Sequence, residues 1–211
     1  MAKLRFVYAP MSSGKSLRLL SLAHDFSEKN ISFMLLKPSA DTRDGENVVK
    51  SRIGVEMKCI PVGTNDNIFD LVKDNYRLRM ATFTKPIQWI LVDECQFLTE
   101  AQIDQLSDVV DFMDVEVICY GLRTDFKSKL FPASKRLFEL ADELEEIKSY
   151  CDCGNNHPVL YLPGHDPAGL YGDVFDAPFW NYAQYEHTGH GFHRGQSGAG
   201  CGSGFKPGWR E

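Results

Sequence analysis

Residues 9–16, Ala9-Pro10-Met11-Ser12-Ser13-Gly14-Lys15-Ser16, follow a short apolar run (Leu4, Phe6, Val7) and open an amphipathic helical pattern. A strand that turns through a small, polar, lysine-bearing loop into a helix gathers the N–H groups of the turn and of the first helical residues around one point. An anion belongs at that point. The pattern implies the β-phosphate of a nucleoside triphosphate, with Lys15 reaching the β/γ oxygens, the Ser16 hydroxyl serving Mg²⁺, and Gly14 keeping a side chain out of the phosphates' way. Ala9 stands where the G-x-x-x-x-G-K-[ST] pattern has its first glycine. The alternative is an ordinary strand-to-helix turn with a helix-starting serine, which Gly14-Lys15-Ser16 alone does not exclude.

Further along, Ile90-Leu91-Val92-Asp93-Glu94 reads as a wholly apolar strand that ends in two carboxylates. Parallel strands covered on both faces show such unbroken apolar runs, and ligands of open α/β sheets gather outside the strands' carboxyl ends. Asp93 is then placed to hold Mg²⁺, commonly through water, and Glu94 to face the reacting end of the triphosphate, whereas Asp-Glu after a strand, taken singly, is often just a solvated turn.

Around these motifs strands and helices alternate. Residues 3–9, 32–37, 87–92, 115–120 and 144–150 read as strands, and 15–28, 66–79 and 99–112 as helices. Thr99 is the expected cap of the last helix, whose apolar Ile103, Leu106, Val109 and Val110 recur at helical spacing. Residues 39–62 are polar, charged and glycine-containing, and look like a long excursion outside the core. The expected fold is α/β: a P-loop NTPase-like parallel sheet with helices on both faces over residues 1–150, plus a small irregular C-terminal segment over 151–211.

At 211 residues the chain can bury one substantial core, and 43% hydrophobic with 25% charged content is ordinary for a soluble protein. No apolar run is long enough for a membrane span, and the first nine residues do not resemble a secretory signal, so a cytoplasmic setting is expected. The net charge of -6 offers no general attraction for nucleic acid. Six cysteines without a signal sequence do not suggest a disulfide scaffold. Cys119, between Ile118 and Tyr120, reads as a small buried hydrophobe, whereas Cys151 and Cys153 are spaced to present two thiolates to one metal ion. Residues 154–211 hold 12 of the 17 glycines and five of the six histidines, and no helical or strand period runs through them. Residues 195–204 read as flexible.

Taken together, residues 9–16, Asp41-Thr42-Arg43, Ser51-Arg52-Ile53-Gly54, Val92-Asp93-Glu94-Cys95-Gln96-Phe97 and Tyr120-Gly121-Leu122-Arg123-Thr124-Asp125-Phe126 resemble the thymidine kinases of the bacterial, phage and animal-cytosolic type. The resemblance covers about residues 3–154. It implies transfer of the γ-phosphoryl of ATP to the 5′-hydroxyl of thymidine, with Glu94 as general base, Asp93 serving Mg²⁺, and Gln96 at Mg²⁺-linked water or the sugar. Phe97 and Phe126 match positions that line the pyrimidine pocket, with Met11 and Leu122 completing its apolar wall. Arg52 and Arg123 are candidates for steadying phosphate charge, with solvated surface arginine as the other reading. The resemblance further implies a homotetramer and feedback inhibition by dTTP.

In the family, cysteines placed like Cys151 and Cys153 form half of a structural zinc site. The other half is a Cys-x-x-Cys or Cys-x-x-His pair just past a lid that closes over thymidine, and this sequence has neither. His190 and His193 are the nearest substitutes, with a spacing that would complete a Cys₂His₂ tetrahedron; otherwise they are exposed histidines in a disordered tail. Two further functions stay open beside the kinase: a P-loop ATPase acting on another macromolecule, and a nucleotide-binding protein of weakened activity.

Overall fold

The computed structural model of the chain describes residues 1–41, 45, 47–125 and 127–148. Six parallel strands form the main sheet: β1 (Leu4–Tyr8), β2 (Phe33–Pro38), β5 (Ile60–Val62), β6 (Trp89–Val92), β7 (Glu116–Gly121) and β8 (Glu143–Glu146), in the order β5-β2-β6-β7-β1-β8. A separate antiparallel hairpin joins β3 (Val48–Lys50) to β4 (Glu56–Lys58). Among the described residues there are four α-helices: α1 (Lys15–Glu28), α2 (Ile68–Ala81), α3 (Glu100–Met113) and α4 (Pro132–Leu140).

Successive strand residues point to opposite faces of a sheet, so each apolar strand feeds two cores. Leu4, Phe6, Met34, Leu36, Ile90, Val92, Val117 and Cys119 face one way and pack on α2, α3 and α4 through Ile68, Val72, Ile103, Leu106, Ala133 and Leu137. Val7, Leu35, Leu91, Ile118 and Tyr120 face the other way and meet Leu19, Leu20, Ala23 and Phe26 of α1, with Val49 of the hairpin beside them. Helices on both faces are what the unbroken apolar strands required. Each large aliphatic side chain buried here contributes roughly 1.5–3 kcal/mol of transfer free energy.

Local signals explain where the helices begin. Thr99 forms a capping box with Gln102: its hydroxyl accepts from the Gln102 N–H (3.2 Å), while the Gln102 side chain accepts from the Thr99 N–H (3.0 Å). The amide of Gln102 then donates to Gly63 O (2.8 Å) and Asp66 O (3.0 Å), which fastens the start of α3 to the connection between β5 and α2. Asn67 caps α2 by accepting from the Asp70 N–H.

Three expectations change. Residues 39–62 are not wholly an excursion: β5 joins the main sheet as an edge strand, and Val49 and Val62 are buried. Three-residue strands are too short to show a period, and Pro61 is tolerated because an edge strand leaves one side unpaired. Helix α4 was not foreseen in the sequence; Pro132 starts it, and Ala133, Ser134 and Leu137 are its buried residues. The last strand among the described residues is Glu143–Glu146, where 144–150 is expected and 149–150 lie outside the described residues; Glu143 and Glu145 on this exposed edge pair with Arg5 (2.9 Å) and Arg18 (2.7 Å). Charged edges of this kind resist pairing with another chain. Among the described residues no helix is long and apolar enough to cross a membrane.

Candidate active site

Strands β6, β7 and β1 are neighbours, and their registers pair Val92 with Cys119 and Tyr8 with Gly121. The loops that leave their carboxyl ends therefore converge. The Ala9 N–H donates to Gly121 O (3.2 Å) and ties the phosphate loop to the end of β7. Ser12 (φ 63) and Gly14 (φ 80) adopt left-handed backbone, and the Ser13 hydroxyl donates to Pro10 O (2.8 Å), so the loop is tightly wound before α1 begins. The left-handed φ is a second reason for glycine at position 14. Lys15, the first residue of α1, is buried, and its ammonium donates to Pro10 O (2.7 Å) and Ala9 O (3.3 Å). A fixed positive charge thus lies inside the loop at a helix N-terminus.

Asp93 and Glu94 follow β6, and both are buried. The Asp93 N–H donates to Leu36 O (3.0 Å), continuing the β2–β6 ladder one residue past the strand. Its carboxyl is pushed up to about 7, first by burial and then by the charge of Glu94. A hydrogen bond from Ser16, one from the backbone of Glu94 and the charge of Lys15 oppose the rise. Asp93 Oδ1 is buried and has no hydrogen-bond partner. A buried carboxylate oxygen without a donor, beside a serine hydroxyl, is a donor set suited to a hard cation such as Mg²⁺, which takes oxygen ligands.

Glu94 sits at φ 50 and ψ 39, a left-handed conformation that costs a non-glycine residue roughly 1–2 kcal/mol. This turn carries the chain into a short 3₁₀ helix, Cys95–Phe97. Gln96 in that turn is buried; its Nε2 donates to Glu94 Oε2 (2.6 Å), and its Oε1 accepts from the Leu122 N–H (2.9 Å). Both ends of the amide are thus engaged within the protein, at a residue expected near Mg²⁺-linked water or the sugar.

The other expected residues fall around this centre. Met11 lies in the phosphate loop, and Leu122 follows β7, where its carbonyl also accepts from the Ser134 hydroxyl. Phe97 stacks edge-on against Phe131, with ring centroids 6.3 Å apart. The Arg123 guanidinium lies 5.9 Å from the centre of the Tyr8 ring at the end of β1, while Arg52 is exposed in the turn between β3 and β4. Phe126, Cys151, Cys153, His190 and His193 lie outside the described residues. Among the described residues no group of three or more His, Cys, Asp or Glu side chains forms a metal cluster.

Sequence reasoning passed over two features. Lys37, at the end of β2, is 1% exposed and pairs with Asp41 (3.3 Å) while donating to Gly45 O and Val48 O (both 3.3 Å). A buried lysine needs such partners, and here they hold the segment after β2 and the start of the hairpin to the sheet. The signal was a lysine directly after four apolar residues. Gly121 is the other: it ends a buried strand without making a turn, so its need for glycine has to come from a close approach.

A family model for thymidine kinase matches residues 2–160. The chain belongs to the thymidine kinase family. It is 44% identical over 160 residues to a thymidine kinase of Rhodopirellula baltica, a match spanning 76% of this chain and 73% of that one. To the thymidine kinase of Enterobacteria phage T4 it is 45% identical over 154 residues, 73% of this chain and 77% of the relative. The Mannheimia succiniciproducens thymidine kinase is 42% identical over 154 residues, again 73% of this chain and 76% of the other. As a member of this kinase family the chain is an enzyme of the ATP- and Mg²⁺-using kind. The family match takes in the phosphate loop, both carboxylates and the loop after β7, and stops before residues 161–211.

Proposed function

We propose that this chain transfers the γ-phosphoryl group of ATP to the 5′-hydroxyl of thymidine, giving dTMP and ADP, with Glu94 as the general base. The observation that carries this reading is the buried carboxylate pair at the end of β6 beside Lys15 and Ser16, one member of which is held in a left-handed backbone conformation. Family membership supports the substrates. In the proposed reaction the phosphate loop and Lys15 hold the β- and γ-phosphates, and Asp93 with Ser16 holds Mg²⁺. The metal, when bound, draws negative charge off the phosphate oxygens. Glu94 accepts the proton of the 5′-hydroxyl as its oxygen bonds to the γ-phosphorus and the bond from that phosphorus to the β–γ bridging oxygen breaks. Residues 9–16 are read as the nucleotide cradle, Phe97, Leu122 and Phe126 as the acceptor pocket, and Arg52 and Arg123 as phosphate partners.

A homotetramer, inhibition by dTTP, a cytoplasmic setting and zinc held by Cys151, Cys153, His190 and His193 belong to the same reading; the first two rest on family resemblance alone. The test is ADP release measured with and without thymidine, in the intact protein and in Glu94→Gln. Thymidine-dependent release, lost in the variant while calorimetry shows ATP still binding, is expected. The amide keeps the shape of the carboxylate but does not accept the proton. Release independent of thymidine would make this an ATPase, and full turnover in Glu94→Gln would refute the general-base assignment.

A further inference from the structure

The geometry points to Gly121 as a positioning residue that acts on Glu94 through Gln96. An ideal Cβ built on Gly121 would lie 2.5 Å from Cys95 Sγ, 2.7 Å from Gln96 Oε1 and 3.3 Å from the Gln96 backbone nitrogen. Gly121 is not among the glycines with positive φ, so its backbone would suit any residue; the missing side chain is what the site requires. In the space it leaves, the Gln96 amide reaches the end of β7. Its Oε1 accepts from the Leu122 N–H at 2.9 Å, and its Nε2 donates to Glu94 Oε2 at 2.6 Å.

The chemistry of the amide makes this a directional device. A backbone N–H only donates, so Leu122 accepts no amide orientation except the one that turns Oε1 toward β7 and Nε2 toward Glu94. The carboxylate then receives a donor, and one of its oxygens is held in place. Gly121 also takes the Ala9 N–H on its carbonyl (3.2 Å), so a single residue sets both the start of the phosphate loop and the bridge to the carboxylate. Asparagine at position 96 would be too short to span the gap, and glutamate would set a second carboxylate against Glu94.

This inference rests on Glu94 being the base, and the experiment separates the two. Steady-state kinetics and thermal unfolding are measured for Gln96→Met, Gly121→Ala, their combination and Glu94→Gln. Gln96→Met and Gly121→Ala should each lower kcat by roughly 10- to 100-fold, the scale of a misplaced catalytic group, and leave the KM for ATP within about twofold. With Cys95→Ala present in every member of the comparison to remove the closest contact, the combined variant should fall no more than about threefold below Gln96→Met, because the amide that the alanine displaces is already absent. If Gly121→Ala alone does not fold, the Cys95→Ala, Gly121→Ala pair takes its place. Losses that multiply in the combined variant, or kcat unchanged in Gln96→Met while its stability falls, would overturn the inference. Turnover lost in Glu94→Gln but kept in Gln96→Met overturns the positioning role alone. Turnover kept in Glu94→Gln overturns the base reading and the positioning role with it.

Discussion

Replacing Asp93 by asparagine should stabilise the metal-free protein above neutral pH while removing its turnover. Asp93 is 4% exposed and its carboxyl is pushed from 3.8 to about 7, by burial first and the Glu94 charge second. An acid raised in this way keeps its proton in the folded chain at a pH where the unfolded chain has released it. Its effect on stability is therefore nil below the unfolded value, becomes unfavourable as pH rises from 3.8 to about 7, and is fully unfavourable above that. A shift of about three units at about 1.4 kcal/mol each sets a ceiling near 4 kcal/mol. The asparagine amide, still buried, forgoes about 1–2 kcal/mol for partners it does not find. A net gain of about 2 kcal/mol remains at pH 8, which for a chain of this length raises Tm by about 4–8 °C. At pH 4, just above the unfolded value, only about 0.5 kcal/mol of the gain is left and the cost of the amide outweighs it, so the variant should be slightly less stable than the parent. Calorimetric unfolding at both pH values in excess chelator measures the difference. A Tm difference of the same sign and size at pH 4 and pH 8 would refute the argument. Mg²⁺ with ATP should stabilise the parent more than the variant, because ligand binding adds to folding stability in proportion to affinity.

Lys15→Ala should lower kcat/KM by a factor equivalent to several kcal/mol, with Tm changed little, because it removes the fixed charge inside the phosphate loop; near-parental kinetics would show the loop does not hold phosphate. Phe126→Ala is expected to raise the KM for thymidine and barely move that for ATP, and a change confined to stability would make this residue structural. Metal analysis of the full chain and of a His190→Ala, His193→Ala variant tests the zinc reading: bound zinc should be lost with the histidines, and stoichiometric zinc in the variant would exclude them as ligands.

How much could be read in advance depended on the range of each signal. The turn of residues 9–16 from β1 into α1 was legible because it is one continuous segment, and the strand that ends before Asp93 and Glu94 because its apolar run admits few alternatives to a buried strand. Both faces of the sheet were implied by the same runs, since a strand with no polar face has to be covered twice. The capping role of Thr99 was equally local. The three-residue strands of residues 48–62 and the short helix α4 were not legible, because neither is long enough for periodicity to outweigh composition.

Tertiary structure alone decided which of these segments touch. Gln96 could be placed beside Glu94 from the sequence, but its grip on Leu122 depends on β6 and β7 being neighbours, and so does the reason for glycine at position 121. Lys37 looked like the end of a strand until its burial against Asp41, Gly45 and Val48 became visible. The raised Asp93 carboxyl belongs here too, because water is excluded by packing from both sides of the sheet. Local sequence determines which groups the chain has to place, through turn geometry and the period of its apolar residues. Distances, burial and charge at the site arise from strands far apart in the chain becoming neighbours, and no short segment encodes that.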